Sequence, residues 1–239
     1  MRRYGMFGVV IASIAWNTAA QGADILRGSI LPPPPPPALE PVSGDWSGIY
    51  LGVHAGYSWG FDKTAEFFTA NGVFAGFAWD YKANSPLLGV HAGVLYEVNR
   101  VVVGVEGELE LANARGGFDD PIGKGRFHNR WRGSIRGKAG YSFGSVLPYF
   151  TFGAAFVNAK YEYTNLITQV VETTERVRLG YTIGAGVSYR MTNNILATME
   201  YRFTDLGNFY FDSVTSFPGL TGRQNPRFST IRSAISYQF

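Results

Sequence analysis

Glu106, Glu108 and Glu110 stand two residues apart, and a basic set, Arg126, Arg130, Arg132, Arg136 and Lys138, follows at even spacing. On an extended chain that spacing puts each set on one face. Acids on one strand can then pair with bases on its neighbour, which is the chemistry of an ion-pair ladder. Left unpaired in an enclosed space of lowered dielectric, one such charge costs on the order of 3 to 5 kcal/mol. The other candidates are the histidines His54, His91 and His128. His54 and His91 lie at similar heights on the first two strands, so both are expected to point inward near one another. His128 is expected to point inward near the outer rim. A metal site needs three or four converging ligands with a supporting shell. The chain has no Cys, and spacing fixes no acidic partner, so hydrogen bonding and no metal is the expectation. Catalysis needs a nucleophile or carboxylate pair oriented by His. Only His128 is near the rim and no such group accompanies it, so no enzyme is expected. The glycines from Gly180 to Gly186 imitate a nucleotide-binding string, but they fall inside a strand and not before a helix.

The elements that position these residues are strands. In the segment 46–59, Ile49, Leu51, Val53, Ala55, Tyr57 and Trp59 share one face, and Gly48, Tyr50, Gly52, His54 and Gly56 the other. The same alternation predicts strands over 87–98, 101–111, 127–143, 147–161, 177–190, 195–203 and 229–239. Short turns are expected near Asn99, Gly144 and Asn193, and long loops over 60–86, 113–125, 162–176 and 205–227. Short turns on one side and long loops on the other are the asymmetry of an outer-membrane barrel. The fold class expected is all-β, an eight-stranded antiparallel up-and-down transmembrane β-barrel over residues 46–239. Such a barrel has an interior just filled by side chains, so conduction should be poor.

Composition agrees. With 30 Gly, 14 Tyr, 18 Phe and only 16% charged residues, the chain is rich in turns and aromatic contacts. A mean hydropathy of -0.03 suits a wall in which alternate residues meet lipid. Arg2 and Arg3 precede an apolar stretch, 4–16, followed by Thr18, Ala19, Ala20, Gly22 and Ala23. That order predicts a signal peptide over 1–22. Without Arg2 and Arg3, the 21 Lys+Arg become 19 against 18 Asp+Glu, so charge gives no case for nucleic acid. Residues 23–45 form a tail whose run Pro32 to Pro37 favours a stiff polyproline II spacer in the periplasm.

Three stretches, WSGIYLGVHAGYSW (46–59), WRGSIRGKAGYSFGSVLPYFTFGAAF (131–156) and GYTIGAGVSYRMTNNILATMEYRFTDLG (180–207), carry a resemblance, together with VVVGVEGELE (101–110). In order and spacing they resemble the small outer-membrane barrels of alphaproteobacteria within the opacity-porin superfamily, which includes hemin-binding surface proteins. The terminal strand ending at Phe239 likewise resembles the closing strand of such barrels, which the barrel assembly machinery reads. Ser188 departs from the pattern, standing where an acidic residue of a luminal pair is expected. The resemblance implies a monomer among outer-membrane lipids with a structural and surface-interaction role in the cell envelope. It implies no cofactor, with hemin as an alternative ligand. Clustered loop aromatics such as Phe77, Trp79 and Tyr81 would stack on a porphyrin, and Lys82, Arg223 and Arg227 would meet its propionates if the first and last loops adjoin. The resemblance also implies attachment to peptidoglycan through Ala23, exposed by cleavage after Gly22.

Overall fold

The computed structural model describes residues 44–119, 121, 123–213 and 218–239. The expected leader, the proline run and Ala23 lie outside the described residues. Ten strands follow in chain order: β1 (Gly48–Phe68), β2 (Phe74–Val98), β3 (Val101–Asp119), β4 (Gly123–Tyr141), β5 (Val146–Asn165), β6 (Val171–Arg190), β7 (Ile195–Asp205), β8 (Phe209–Ser213), β9 (Leu220–Gln224) and β10 (Arg227–Gln238). Strands β1 to β7 and β10 pair antiparallel with their neighbours, and β10 closes on β1 from Tyr50↔Gln238 to Phe61↔Arg227. These are the eight expected staves. The short β8–β9 hairpin is an addition within the last connection, and β9 lies along the upper end of β1 from Thr64 to Phe68.

Alternation dictates the wall. Ile49, Leu51 and Val53 of β1, Val101, Val103 and Val105 of β3, and Ile231, Ile235 and Tyr237 of β10 are exposed on the outside. Their intervening neighbours are turned into the barrel. Among the described residues no helix is long and apolar enough to cross a membrane; the crossing is made by strands, whose backbone groups the closed sheet satisfies. At the periplasmic end Asn99 and Arg100 both take positive φ, 50° and 69°, as a two-residue hairpin turn with right-handed twist requires.

The opposite end differs from expectation. The spans 60–86, 113–125 and 162–176, read as long loops, are mostly continued strand: β1 runs 21 residues and β2 25. A bilayer needs only about 9 to 11 residues per strand, so these hairpins stand well clear of the membrane. Above the wall the sheet divides. Pairing of β2 with β3 stops at Leu87↔Ala112, and pairing of β6 with β7 stops at Tyr181↔Asp205. What continues upward is one sheet of β8, β9, β1 and β2 and another of β3 to β6.

Inside, the barrel is layered. Trp46, Tyr50, Leu95, Val102, Leu147 and Leu196 form an apolar layer at the periplasmic mouth. A second apolar layer, including Phe127, Val157, Tyr161, Leu206 and Phe228, lies toward the outside. Because the backbone polar groups of the wall are satisfied only in the closed sheet, the folded protein is expected to keep its shape in mild detergent and lose it on boiling. Unheated and boiled samples should run at different mobilities on a gel; identical mobilities for membrane-extracted protein would contradict the closed barrel.

Candidate functional site: the luminal charge network

Between the two apolar layers the lumen is filled by charge. The register of β3 against β4 sets Glu106 opposite Arg136, Glu108 opposite Ser134 and Glu110 opposite Arg132. That much of the expected ladder is present, but the bonds do not stop at the neighbouring strand. Arg136 donates to Glu200 Oε1 of β7 at 2.5 Å, to Glu108 Oε2 at 3.0 Å, and to Glu106. Arg232 of β10 donates to Glu106 Oε1 at 2.8 Å, to Glu200 Oε2 at 3.2 Å, and to Glu108. Arg202 of β7 reaches across the lumen to Glu110 Oε1 at 2.5 Å and to Glu108. Arg132 holds Glu110 Oε2 at 2.6 Å and Ser58 Oγ at 3.1 Å. Lys138 sits 3.9 Å from Glu106 and 3.8 Å above the Tyr149 ring. All of these side chains are buried.

Two tyrosines finish the carboxylates. Tyr50 donates to Glu106 Oε2 at 2.6 Å and Tyr149 to Glu200 Oε2 at 2.8 Å. Each phenol lies over the glycine paired with it on the neighbouring strand, Gly93 and Gly186, where a Cβ would come within 2.5 and 2.6 Å of the hydroxyl oxygens. Glycine is required there for room. Glu200, Arg202 and Arg232 were missing from the sequence-derived network, although Met199–Phe203 alternates apolar and charged residues and Arg232 lies on the polar face of the closing strand.

Two expected members are elsewhere. Asn129↔Ala159 is followed by Arg132↔Val157, so β4 carries an extra residue and bulges at Arg130 and Trp131, which both face out. A bulge reverses the parity of everything beyond it. Arg126 therefore lies outside the lumen network, bound to Asp119 at 2.7 Å on the outer extension. His128 is likewise not inward; buried Phe127 and Asn129 take the inner face beside it. Ser188 is inward and shares a hydrogen bond with Thr198 at 2.9 Å.

His54 and His91 do meet, with their Nδ1 atoms 3.1 Å apart. His91 Nε2 lies 2.8 Å from Ser236 Oγ, and His54 Nε2 lies 3.2 Å from Glu110 Oε1. His54, Glu108 and Glu110 offer ligand atoms within 4.8 Å of one another, a cluster that sequence spacing did not fix. The donor set does not fit a cation: Glu108 is already bound by Arg136, Arg202 and Arg232, and Glu110 by Arg132 and Arg202. A metal ion would displace Arg132 and Arg202, whose ion pairs among the described residues are with Glu108 and Glu110 alone.

Of the proposed loop site, Lys82 and Arg223 are exposed, Arg223 over the Phe67 ring, and Arg227 is bound to Asp205 at 2.9 Å. Phe77, Trp79 and Tyr81 belong to β2, and their side chains lie outside the described residues. The backbone does join the first and last connections: Ala65 pairs with both Ala78 and Arg223, and Phe61 with both Lys82 and Arg227.

Residues 35–239 match the outer membrane protein beta-barrel domain. The chain belongs to this family. It is 31% identical over 97% of its length to the 25 kDa outer-membrane immunogenic protein of Brucella abortus, covering 96% of that protein. It is 32% identical over 71% of its length to the 22 kDa outer membrane protein of Rhizobium leguminosarum, covering 69% of that protein. In fold it is similar to the outer membrane protein OprG from Pseudomonas aeruginosa, with TM-score 0.54 and 11% identity over 83% of this chain and 99% of that one. As an outer membrane protein beta-barrel domain, the chain resides in the bacterial outer membrane, among its lipids.

Removing one carboxylate tests the network. Glu108→Gln should leave three guanidiniums short of a counter-charge and destabilise the barrel by about 3 to 5 kcal/mol. Asp119→Asn, which loses only the exposed pair with Arg126, should shift stability by about 0 to 1 kcal/mol. Thermal unfolding in detergent compares them; equal, negligible shifts would contradict the luminal placement of Glu108.

Proposed function

We propose that this protein is a sealed, non-enzymatic barrel that contributes to the outer membrane's structure and presents its raised hairpins as a surface for interaction. The observation that carries this reading is the lumen, where an ion network of buried side chains lies between two apolar layers. The periplasmic mouth is stoppered by Trp46, fully buried, whose indole donates to Gly144 O at 3.1 Å beneath the Arg190 guanidinium. Gln238 Nε2 ties the Trp46 carbonyl to the closing strand at 2.8 Å. Beside it, hydrogen bonds from Ser47 hold the Asp45 carboxyl below the usual carboxylate range.

Hydrolysis needs an activated nucleophile or base in a cleft that admits substrate. Here His54 and His91 are enclosed, and His128 is flanked across the sheet by Arg115 and Lys160. The hairpins that rise beyond the wall are the accessible part, and the Brucella relatives are named as immunogenic proteins. Recognition of Phe239 by the assembly machinery, and attachment of Ala23 to peptidoglycan, belong to the same proposal for an envelope protein. In planar bilayers the purified barrel should give no stepwise conductance; sustained channel openings would overturn the sealed reading.

A second reading, hemin capture, is favoured by the register that brings Lys82, Phe61 and Arg227 into one row and sets Arg223 two strands from Ala78. Trp79→Ala with Tyr81→Ala should then weaken the saturable spectral change on adding hemin and leave heat-modifiable mobility unchanged. No saturable change with the unmodified protein would remove this reading.

A further inference from the structure

The place where β2 and β3 part is a built feature of the outer wall. Pro86 has no N–H to give to a further rung. The Ser85 hydroxyl closes the fork, accepting the Asn113 N–H at 3.0 Å and donating to Pro86 O at 2.6 Å. Pro86, Leu87, Leu88, Leu111, Ala112, Asn113, Arg115 and Arg130 line an open depression of about 520 Å³ at this fork, within the roughly 300 to 1,000 Å³ of small-molecule sites.

Its height is fixed by the side chains of the wall. On β3 the outward residues are apolar from Val101 to Leu111 and polar from Asn113 upward. On β2 exposed Leu88 is followed upward by Pro86 and Asn84. The lower half of the depression therefore meets acyl chains, and the upper half meets the headgroups of the outer leaflet. Both charged residues of the depression are cations. Arg115 is steadied by Asn113 Oδ1 at 3.1 Å, and Arg130 faces out because the β4 bulge turns it there. Among the described residues neither is paired with a carboxylate, in contrast to Arg126 and Arg227 at the same end of the barrel.

We propose that this fork binds one phosphorylated lipid of the outer leaflet, with Arg115 and Arg130 holding its phosphate and Leu88 and Leu111 lying against an acyl chain. Two guanidiniums without counter-charges, set one step above an apolar ledge, match a headgroup phosphate joined to its chains. Guanidinium forks bind phosphate oxygens by short, charge-assisted hydrogen bonds. A soluble phosphate would gain nothing from the ledge. The bulge thereby acquires a role: it moves Arg130 from the lumen, where it would be an unpaired cation, to a surface where an anion is available.

The test is native mass spectrometry of the full-length barrel in detergent, titrated with bis-phosphorylated lipid A, the same lipid with both phosphates removed, and inorganic phosphate. One bis-phosphorylated lipid should be retained per barrel. Arg115→Gln with Arg130→Gln should weaken retention by about tenfold or more, as should removing the phosphates. The exposed pair Lys124→Gln with Arg176→Gln should leave retention unchanged, and all variants should keep heat-modifiable mobility. Equal retention by the Arg115/Arg130 variant, or of the dephosphorylated lipid, would overturn the site. An equal loss in the Lys124/Arg176 variant would reduce it to general surface charge, and displacement by inorganic phosphate would reduce it to a free-anion site; either result rejects the proposal.

Discussion

A charge turned into an eight-stranded barrel has no bulk water to face, so its counter-charge must also be inside. That constraint organises this molecule. Glu106, Glu108, Glu110 and Glu200 are met by Arg132, Arg136, Arg202, Arg232 and Lys138, with most carboxylates shared between guanidiniums from different strands. Sharing ties β3, β4, β7 and β10 together across the lumen, where backbone pairing connects each strand only to its neighbours. The network needs room for the tyrosines that bind its carboxylates, hence Gly93 and Gly186 on the neighbouring strands beneath the tyrosine hydroxyls. It also needs the absence of competing water, hence the apolar layers around Trp46 and around Phe228. A buried ion network is weak evidence of net stability gain over an apolar core. Its effect here is to fix register: a slip by one residue would turn every luminal charge toward lipid.

The sequence discloses the wall because period two is a property of neighbouring residues on one strand. All eight staves, the three tight turns and the inward faces of β1, β3 and lower β4 follow from it. Strand ends are less legible, since the pairing of β1 with β2 continues from Phe61 and Lys82 up to Phe67 and Phe74, beyond the level at which the outward residues turn polar. The errors at Arg126, His128 and Arg130 share a single cause. A bulge adds one residue and reverses parity beyond it, and no proline or glycine at Arg130 and Trp131 announces it. Glu200, Arg202 and Arg232 are visible as inward charges, but partnership across a lumen depends on barrel geometry, and sequence adjacency gives no measure of that.

The same features separate the protein into two functional regions. Below, the closed wall encloses the buried ion network within the outer membrane. Above, two four-stranded sheets diverge with open edges at the β2–β3 fork and beside β6, giving an exposed surface on a fixed base. Family membership and the Brucella and Rhizobium relatives place that surface on the outer membrane of a bacterium. Lipid at the fork would anchor the boundary between the two regions.

The central claim is that Glu108 and Arg202, on strands that do not touch through the backbone, are energetically coupled through the lumen. A double-mutant cycle of Glu108→Gln and Arg202→Gln, read by denaturant unfolding in detergent, measures this directly. The account predicts that the double variant is less destabilised than the sum of the single changes, with a coupling of about 0.5 to 3 kcal/mol. Additive effects would contradict it, because they would show two charges that do not sense one another across the barrel.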